Sequence, residues 1–274
     1  MIPRRGFVAF TFDVEEWFQV ENFRGVIEQT SWEHRESRVV SATHRILDIL
    51  SNAGARSTFF FLGWVARKHP QLVREVADLG HEVASHGFYH ELAYRQSRRE
   101  FLSDVRDSKK LLEDVVGRRV LGYRAPNFSI TDEHMELLAE AGYVYDSSFN
   151  AFSYHDRYGR LTGLPRPDRG AWLHRSGLVE CPVFTLRLGN VGIPWGGGAY
   201  FRLLPRWLFV AGLEMAVRSR PVDLSARLIT LYFHPWEFDP GQPVVKGVSA
   251  FYRFRHYCGL RGSAAKLQLL VRRF

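Results

Sequence analysis

The chain has 274 residues, 46% hydrophobic and 24% charged, which suits a soluble globular protein with room for one core of (β/α) barrel size. No run of eighteen apolar residues occurs, which argues against a membrane-spanning helix, and two cysteines, Cys181 and Cys258, are too few for a disulfide framework or a thiolate metal site and are expected as buried, unreactive thiols. The net charge of +8 suits an anionic partner such as a membrane surface or a lipid-linked glycan, but the basic residues are scattered and no nucleic-acid-binding motif is present.

The first segment, MIPRRGFVAFTFDVEEW, meets acidic residues too soon for the apolar region of a signal peptide, so a cytoplasmic protein is expected. FVAFTF predicts a strand running into Asp13, Glu15 and Glu16. Side chains alternate along a strand, so Asp13 and Glu15 share a side and Glu16 points away. A repeating grammar of helix, glycine stop and apolar run follows. Helical spacing covers 38–53 before Gly54, 70–79 before Gly80, 98–116 before Gly117 and 132–141 before Gly142. After these stops come the strand candidates STFFFLG, HEVASH, RVLGYRAP and YVYDSS, and later LITLYFHPWEF. Such alternation predicts an α/β fold with a parallel sheet. The strands end at Asp13 and Glu15, at Ser85 and His86, at Arg124, at Asp146 and at His234, which a parallel barrel collects on one rim.

Residues 150–177 read as a long loop with a possible hairpin, a candidate lid. In the terminal SAAKLQLLVRRF, Leu267, Leu270, Val271 and Phe274 form a stripe expected to pack on the barrel in preference to a membrane, with Lys266, Arg272 and Arg273 beside it. No linker or repeat divides the chain. It is expected as a single domain over 1–274, with 240–274 an extension packed on the barrel.

SHGFYH places His86 and His90 four apart, so one helical turn would bring both imidazoles to a common ion. In a chain with eleven histidines, ordinary surface or core histidines explain that pair as well. The intervening residues contain no glutamate, unlike the metalloprotease motif. Of Asp13 and Glu15, one carboxylate could bind metal while the other acts as base. Arg124 in GYRAPNFS would orient a carboxylate base, although alone it is equally a structural arginine. The turn at Asn127 and Phe128 would offer a backbone N–H to an oxyanion. His234 has the chemistry of a general acid.

Taken in order, TFDVE, SHGFYH, YRAP, YDSS and LYFHP resemble the five motifs of the polysaccharide deacetylases, the NodB-homology group of carbohydrate esterase family 4. WGGGAYFRLLP, FHPWEFDP and FRHYCGLR resemble the subgroup encoded with bacterial exopolysaccharide biosynthesis loci. The resemblance spans nearly the whole chain. It implies a distorted (β/α) barrel of about seven parallel strands and a divalent cation on two histidines and a carboxylate. By position it implies His86 and His90 as metal ligands, Asp13 as base, Arg124 as its orienter and His234 as acid. Asp146 would support the catalytic histidine or arginine indirectly. The chain departs from the family in three places. Asp13-Val14-Glu15 replaces two adjacent aspartates, and relatives with an intervening residue use the second acid as ligand, which points to Glu15. Asn127 stands where an aromatic residue is common, and Pro235 follows His234.

The implied reaction is hydrolysis of an N-acetyl group on a hexosamine of an exopolysaccharide or its lipid-linked precursor, giving acetate and a free amine. Trp195, Tyr200, Phe201 and Trp236 suit aromatic faces for sugars and suit core packing at least as well, and Gly196, Gly197 and Gly198 suggest a tight turn near the site. Zinc suits the ligand set best, with iron, cobalt, nickel and manganese also compatible. Peripheral membrane contact is compatible with the charge. Two other readings are a cyclic amide hydrolase of the allantoinase type and a non-catalytic glycan-binding protein. Reactive residues at all five motif positions oppose the last.

Overall fold

A computed structural model describes residues 7–152, 157–162, 170–188, 191–219 and 228–274. In chain order the first half runs β1 (Phe7–Val14), α1 (Val39–Ser51), β2 (Thr58–Phe61), α2 (Gly63–Lys68), α3 (Pro70–Asp78), β3 (Glu82–Ser85), α4 (Arg98–Val116), β4 (Gly122–Tyr123), α5 (Asp132–Glu140) and β5 (Tyr145–Asp146). The second half adds β6 (Trp172–Leu173), β7 (Val179–Glu180), β8 (Leu186–Leu188), β9 (Val191–Ile193), α6 (Gly198–Leu203), α7 (Arg206–Ser219), β10 (Leu228–Phe233), α8 (Ala250–Tyr257) and α9 (Leu260–Arg273).

The main sheet has the order β10-β1-β2-β3-β4-β5-β7-β6, and only the β6–β7 pair is antiparallel. Seven strands are therefore parallel, as expected. Val183 forms single bridges to Asn150 on one side and to Thr230 of β10 on the other, so the curled sheet is joined across its gap by irregular chain and not by a regular strand. This is a distorted barrel. From Phe10 onward β1 is buried, as a strand covered on both faces must be, and Phe12 stacks on Phe59 at 5.0 Å and meets Phe233 at 5.8 Å.

The predicted helices α1, α3, α4 and α5 form where expected. α4 opens with a capping box of Ser97 and Glu100 and closes at Gly117, whose φ of 68° is left-handed. Glu16 points away from the cleft, as predicted, and caps α1 by accepting the N–H groups of Arg38 and Val39 at 3.0 and 3.2 Å. The sequence reading assigned no helix to 198–219, where α6 and α7 contain Gly198 and Gly212. Packing overrides the low helical propensity: a Cβ on Gly212 would lie 2.4 Å from the Trp195 ring.

Of the loop expected over 150–177, residues 153–156 and 163–169 lie outside the described residues; β6 within it pairs antiparallel with β7, which lies beyond the expected bound and continues into the main sheet. The α9 stripe packs inward, with Leu267, Leu270 and Val271 buried. Lys266 departs from expectation: it is buried, donates to the carbonyls of Phe201 and Leu204, and is pushed down to about 8 by burial. Both cysteines are free but half-buried, a correction to the expected full burial; burial pushes the Cys181 thiol up to about 12. Among the described residues, no helix is long and apolar enough to cross a membrane.

Candidate active site

The C-terminal ends of four parallel strands meet in one cleft. β1 delivers Asp13 and, just beyond it, Glu15; β3 runs into His86 and His90, and β10 into His234. Arg124 follows β4 and lies fully buried behind Asp13.

Ligand atoms of Glu15, His86 and His90 lie within 4.8 Å of one another, and all three residues are buried. The His86 Nδ1 sits 2.8 Å from the Arg124 carbonyl oxygen. A carbonyl only accepts, so Nδ1 carries the proton and Nε2 keeps its lone pair for a cation. Glu15 Oε1 accepts from Trp236 Nε1 at 3.0 Å. Its Oε2 is buried without a hydrogen-bond partner, although His90 Nε2 is 2.9 Å away. A buried carboxylate oxygen with no donor, facing two imidazoles, fits a divalent cation. Burial works to raise the Glu15 carboxyl, but the charges of His90, His234 and His86 prevail and hold it at about 2. Burial pushes His86 down to about 4, leaving it neutral, as a metal ligand must be.

Asp13 Oδ1 accepts from Arg124 Nη1 at 2.6 Å. Arg124 is fixed in turn by Thr11 Oγ1 and by the carbonyl and hydroxyl oxygens of Ser147, at 2.8–2.9 Å. The other oxygen of Asp13 faces His234 Nε2 at 3.9 Å, and Glu15 Oε1 lies 3.7 Å from the same nitrogen. His234 Nδ1 is 2.8 Å from Glu237 Oε1. Burial works to lower His234, but Glu15, Glu237 and Asp13 outweigh it and raise the imidazole to about 9.

Glu237 was missed in the sequence reading. Its only signal there is its place three residues after His234 in HPWE. The glycine run makes room for it: a Cβ on Gly198 would come 1.9 Å from Glu237 Oε2. Arg202 Nε lies 3.6 Å from that same oxygen.

Asn127 and Phe128 line the cleft with φ of 50° and 57°, and His90 has φ 56°. These are the non-glycine residues with positive φ among the described residues, and all three line this cleft. Strained backbone of this kind concentrates where a site over-determines its geometry. The Asn127 side-chain Nδ2 is buried without a partner.

Asp146 falls on the arginine side of its expected indirect role, and the aromatic residues offered as sugar faces need correction. Asp146 does not touch His234; Ser148 donates to it at 2.6 Å and in turn accepts from Ala125 N at 2.7 Å, so its link is to the chain that carries Arg124. Trp195 is a core residue that stacks on Phe209 at 5.7 Å and donates to the Phe209 carbonyl, and neither it nor half-buried Tyr200 lines the cleft. Trp236 does line it, but at 8% exposure it stacks on His234 and His256 and offers little face to a sugar. Phe201 packs in the core against Phe209 and Phe233.

The family model of the polysaccharide deacetylases matches residues 3–145, and a domain of unknown function (DUF3473) matches residues 147–274. A peptidoglycan-N-acetylglucosamine deacetylase of Bacillus cereus is 35% identical over 101 residues, covering 37% of this chain and 47% of that protein. A peptidoglycan deacetylase of Helicobacter pylori is 29% identical over 117 residues, covering 43% and 40%. The chain thus spans less than half the length of these curated relatives. A solved Mycobacterium smegmatis structure, described as a candidate polysaccharide deacetylase, superposes with TM-score 0.60 at 22% identity, covering 99% of this chain and 84% of that one. At that identity the likeness establishes the fold.

Proposed function

The chain belongs to the polysaccharide deacetylase family, and from that premise we propose that it is a metal-dependent hydrolase that removes N-acetyl groups from amino sugars of a bacterial glycan. The motifs favour an exopolysaccharide or its lipid-linked precursor, and the curated relatives act on peptidoglycan by name. The observation that carries the reading is the partnerless Oε2 of Glu15 facing His86 and His90, with Asp13 and His234 alongside. We read residues 1–274 as one domain built around that cleft.

Glu15, His86 and His90 would hold the cation, zinc foremost. When bound, it supplies Lewis-acid polarisation of the acetamide carbonyl and a water that deprotonates near neutral pH. Asp13 takes the proton of the attacking water, and Arg124 fixes the carboxylate oxygen that does not. The backbone N–H or the side-chain amide of Asn127 is offered to the oxyanion, because the Phe128 N–H is already donated to the Ala125 carbonyl at 2.9 Å. His234 gives its Nε2 proton to the departing amine, while Glu237 keeps Nδ1 occupied so that Nε2 faces the substrate. Asp146 stiffens the Arg124 segment through Ser148. Acetate and a free amino sugar leave.

Metal-loaded protein should release acetate from N-acetylated oligosaccharides. His86→Ala and Asp13→Asn should each cut that rate by at least ~100-fold. Chelation should abolish it and added zinc restore it. Failure across a broad glycan panel with bound metal verified would overturn the reading, and ring opening of a cyclic amide instead would replace it.

A further inference from the structure

One charged side chain in the cleft has no part in the reaction described above. Arg255, in the last turn of α8, lines the cleft half-buried, and its guanidinium makes no hydrogen bond or ion pair among the described residues. The carboxylates lining the same cleft are already engaged. Arg124 holds Asp13, His90 faces Glu15, Arg24 and Arg95 hold Glu21, and His234 holds Glu237. Arg255 is therefore not the counter-charge of any of them.

The backbone that presents Arg255 is anchored. Arg202, 9% exposed, donates from Nη1 to the carbonyls of His256 at 2.9 Å and Cys258 at 2.7 Å, and from Nη2 to the carbonyl of Arg255 itself at 3.0 Å. A second guanidinium lines the same cleft. Arg157 is oriented by Asn22 Oδ1 and by the Tyr252 hydroxyl, each at 2.9 Å, and Tyr252 belongs to α8 like Arg255. The Arg255 charge is also felt by Tyr158 and Tyr232, which line the cleft too. A planar guanidinium fork is the side chain best matched to the paired oxygens of a carboxylate or phosphate.

We propose that Arg255, with Arg157 beside it, forms an anion subsite of the cleft, so that the preferred substrate is an N-acetylated glycan bearing a carboxylate or phosphate near the sugar to be deacetylated. This inference rests on the deacetylase reading of the same cleft. Substrate charge is selected at this wall, and the chemistry occurs at the histidine–carboxylate centre.

The test compares acetate release from three oligosaccharides of matched length: neutral N-acetylglucosamine oligomers, oligomers alternating with a uronic acid, and N-acetylglucosamine oligomers ending in a phosphate. The wild type should favour one anionic series over the neutral one by about tenfold or more in kcat/KM, and the series favoured identifies carboxylate or phosphate as the group bound. R255A should lower that anionic-to-neutral ratio by about tenfold, and R255K should keep most of it. A ratio does not depend on the amount of folded enzyme, so partial misfolding cannot imitate the result. A wild-type ratio near one, or a ratio unchanged in R255A, overturns the anion subsite. Calorimetric titration of wild type and R255A with the same oligosaccharides separates the two readings. If no glycan is deacetylated, the deacetylase reading fails, and the subsite stands only if anionic oligosaccharides bind and R255A abolishes that binding.

Discussion

A histidine that protonates a leaving amine must show one nitrogen to the substrate and have the other one held. Glu237 holds Nδ1 of His234 at 2.8 Å, and Gly198 leaves the space that its carboxylate fills. An amide needs that proton because an amine anion is a poor leaving group, whereas an aryl acetate does not. Glu237→Gln should therefore lower the amide-to-aryl-ester rate ratio by ~10–100-fold, the usual range for a residue that orients a reactive imidazole. His234→Ala should lower it in the same sense. Equal slowing of amide and ester would leave Glu237 with a purely structural role. At this scale the sequence showed His86, His90, Asp13, Arg124 and His234 through spacing and order. It did not show Glu237, because a glutamate three residues past a histidine has the same appearance in any surface helix. It left Trp195 open between sugar face and core, because an indole suited to a sugar is equally suited to a core, and the core is where it lies.

Strands and helices position these side chains, and one strand pair carries an electrostatic load. Asp146 of β5 sits in register with Glu180 of β7, and both are fully buried. Burial pushes both carboxyls above their ordinary range, and the Asp146 charge pushes Glu180 further. A folded-state pKa above the unfolded one favours folding at low pH, and this contribution is lost as pH rises through the raised value. Urea unfolding should show the wild type losing stability as pH rises above the ordinary carboxylate range, with Glu180→Gln losing less over the same interval. An equal loss in both proteins would exclude the pair as its source. The elements themselves were legible where glycine stops and apolar periodicity coincide, as at α4 and Gly117. They were illegible over α6 and α7, where packing against Trp195 sets the helix and local propensity does not.

Across the whole molecule, the two family matches divide the chain near residue 146, yet the sheet does not divide there. β10 pairs with β1 over six residues, from Phe7 opposite Leu228 to Phe12 opposite Phe233, and it delivers His234 to the cleft. A fragment of residues 1–146 would expose one edge of β1 and the face of Phe12 that meets Phe233 and Phe238. It should lack a cooperative unfolding transition by circular dichroism, whereas the full chain should show one. A cooperative transition in the fragment would argue against one domain. The sequence by itself determined the parallel α/β plan and the rim residues, because hydrophobic period and helix stops are local and strand ends follow from them. Only the tertiary structure decided which partners those residues take. Trp236 meets Glu15, and Arg255 reaches the cleft with no counter-charge among the described residues, because these placements depend on how elements far apart in the chain close around a shared space; Glu237 reaches His234 from three residues away because Gly198 of a distant helix leaves it room.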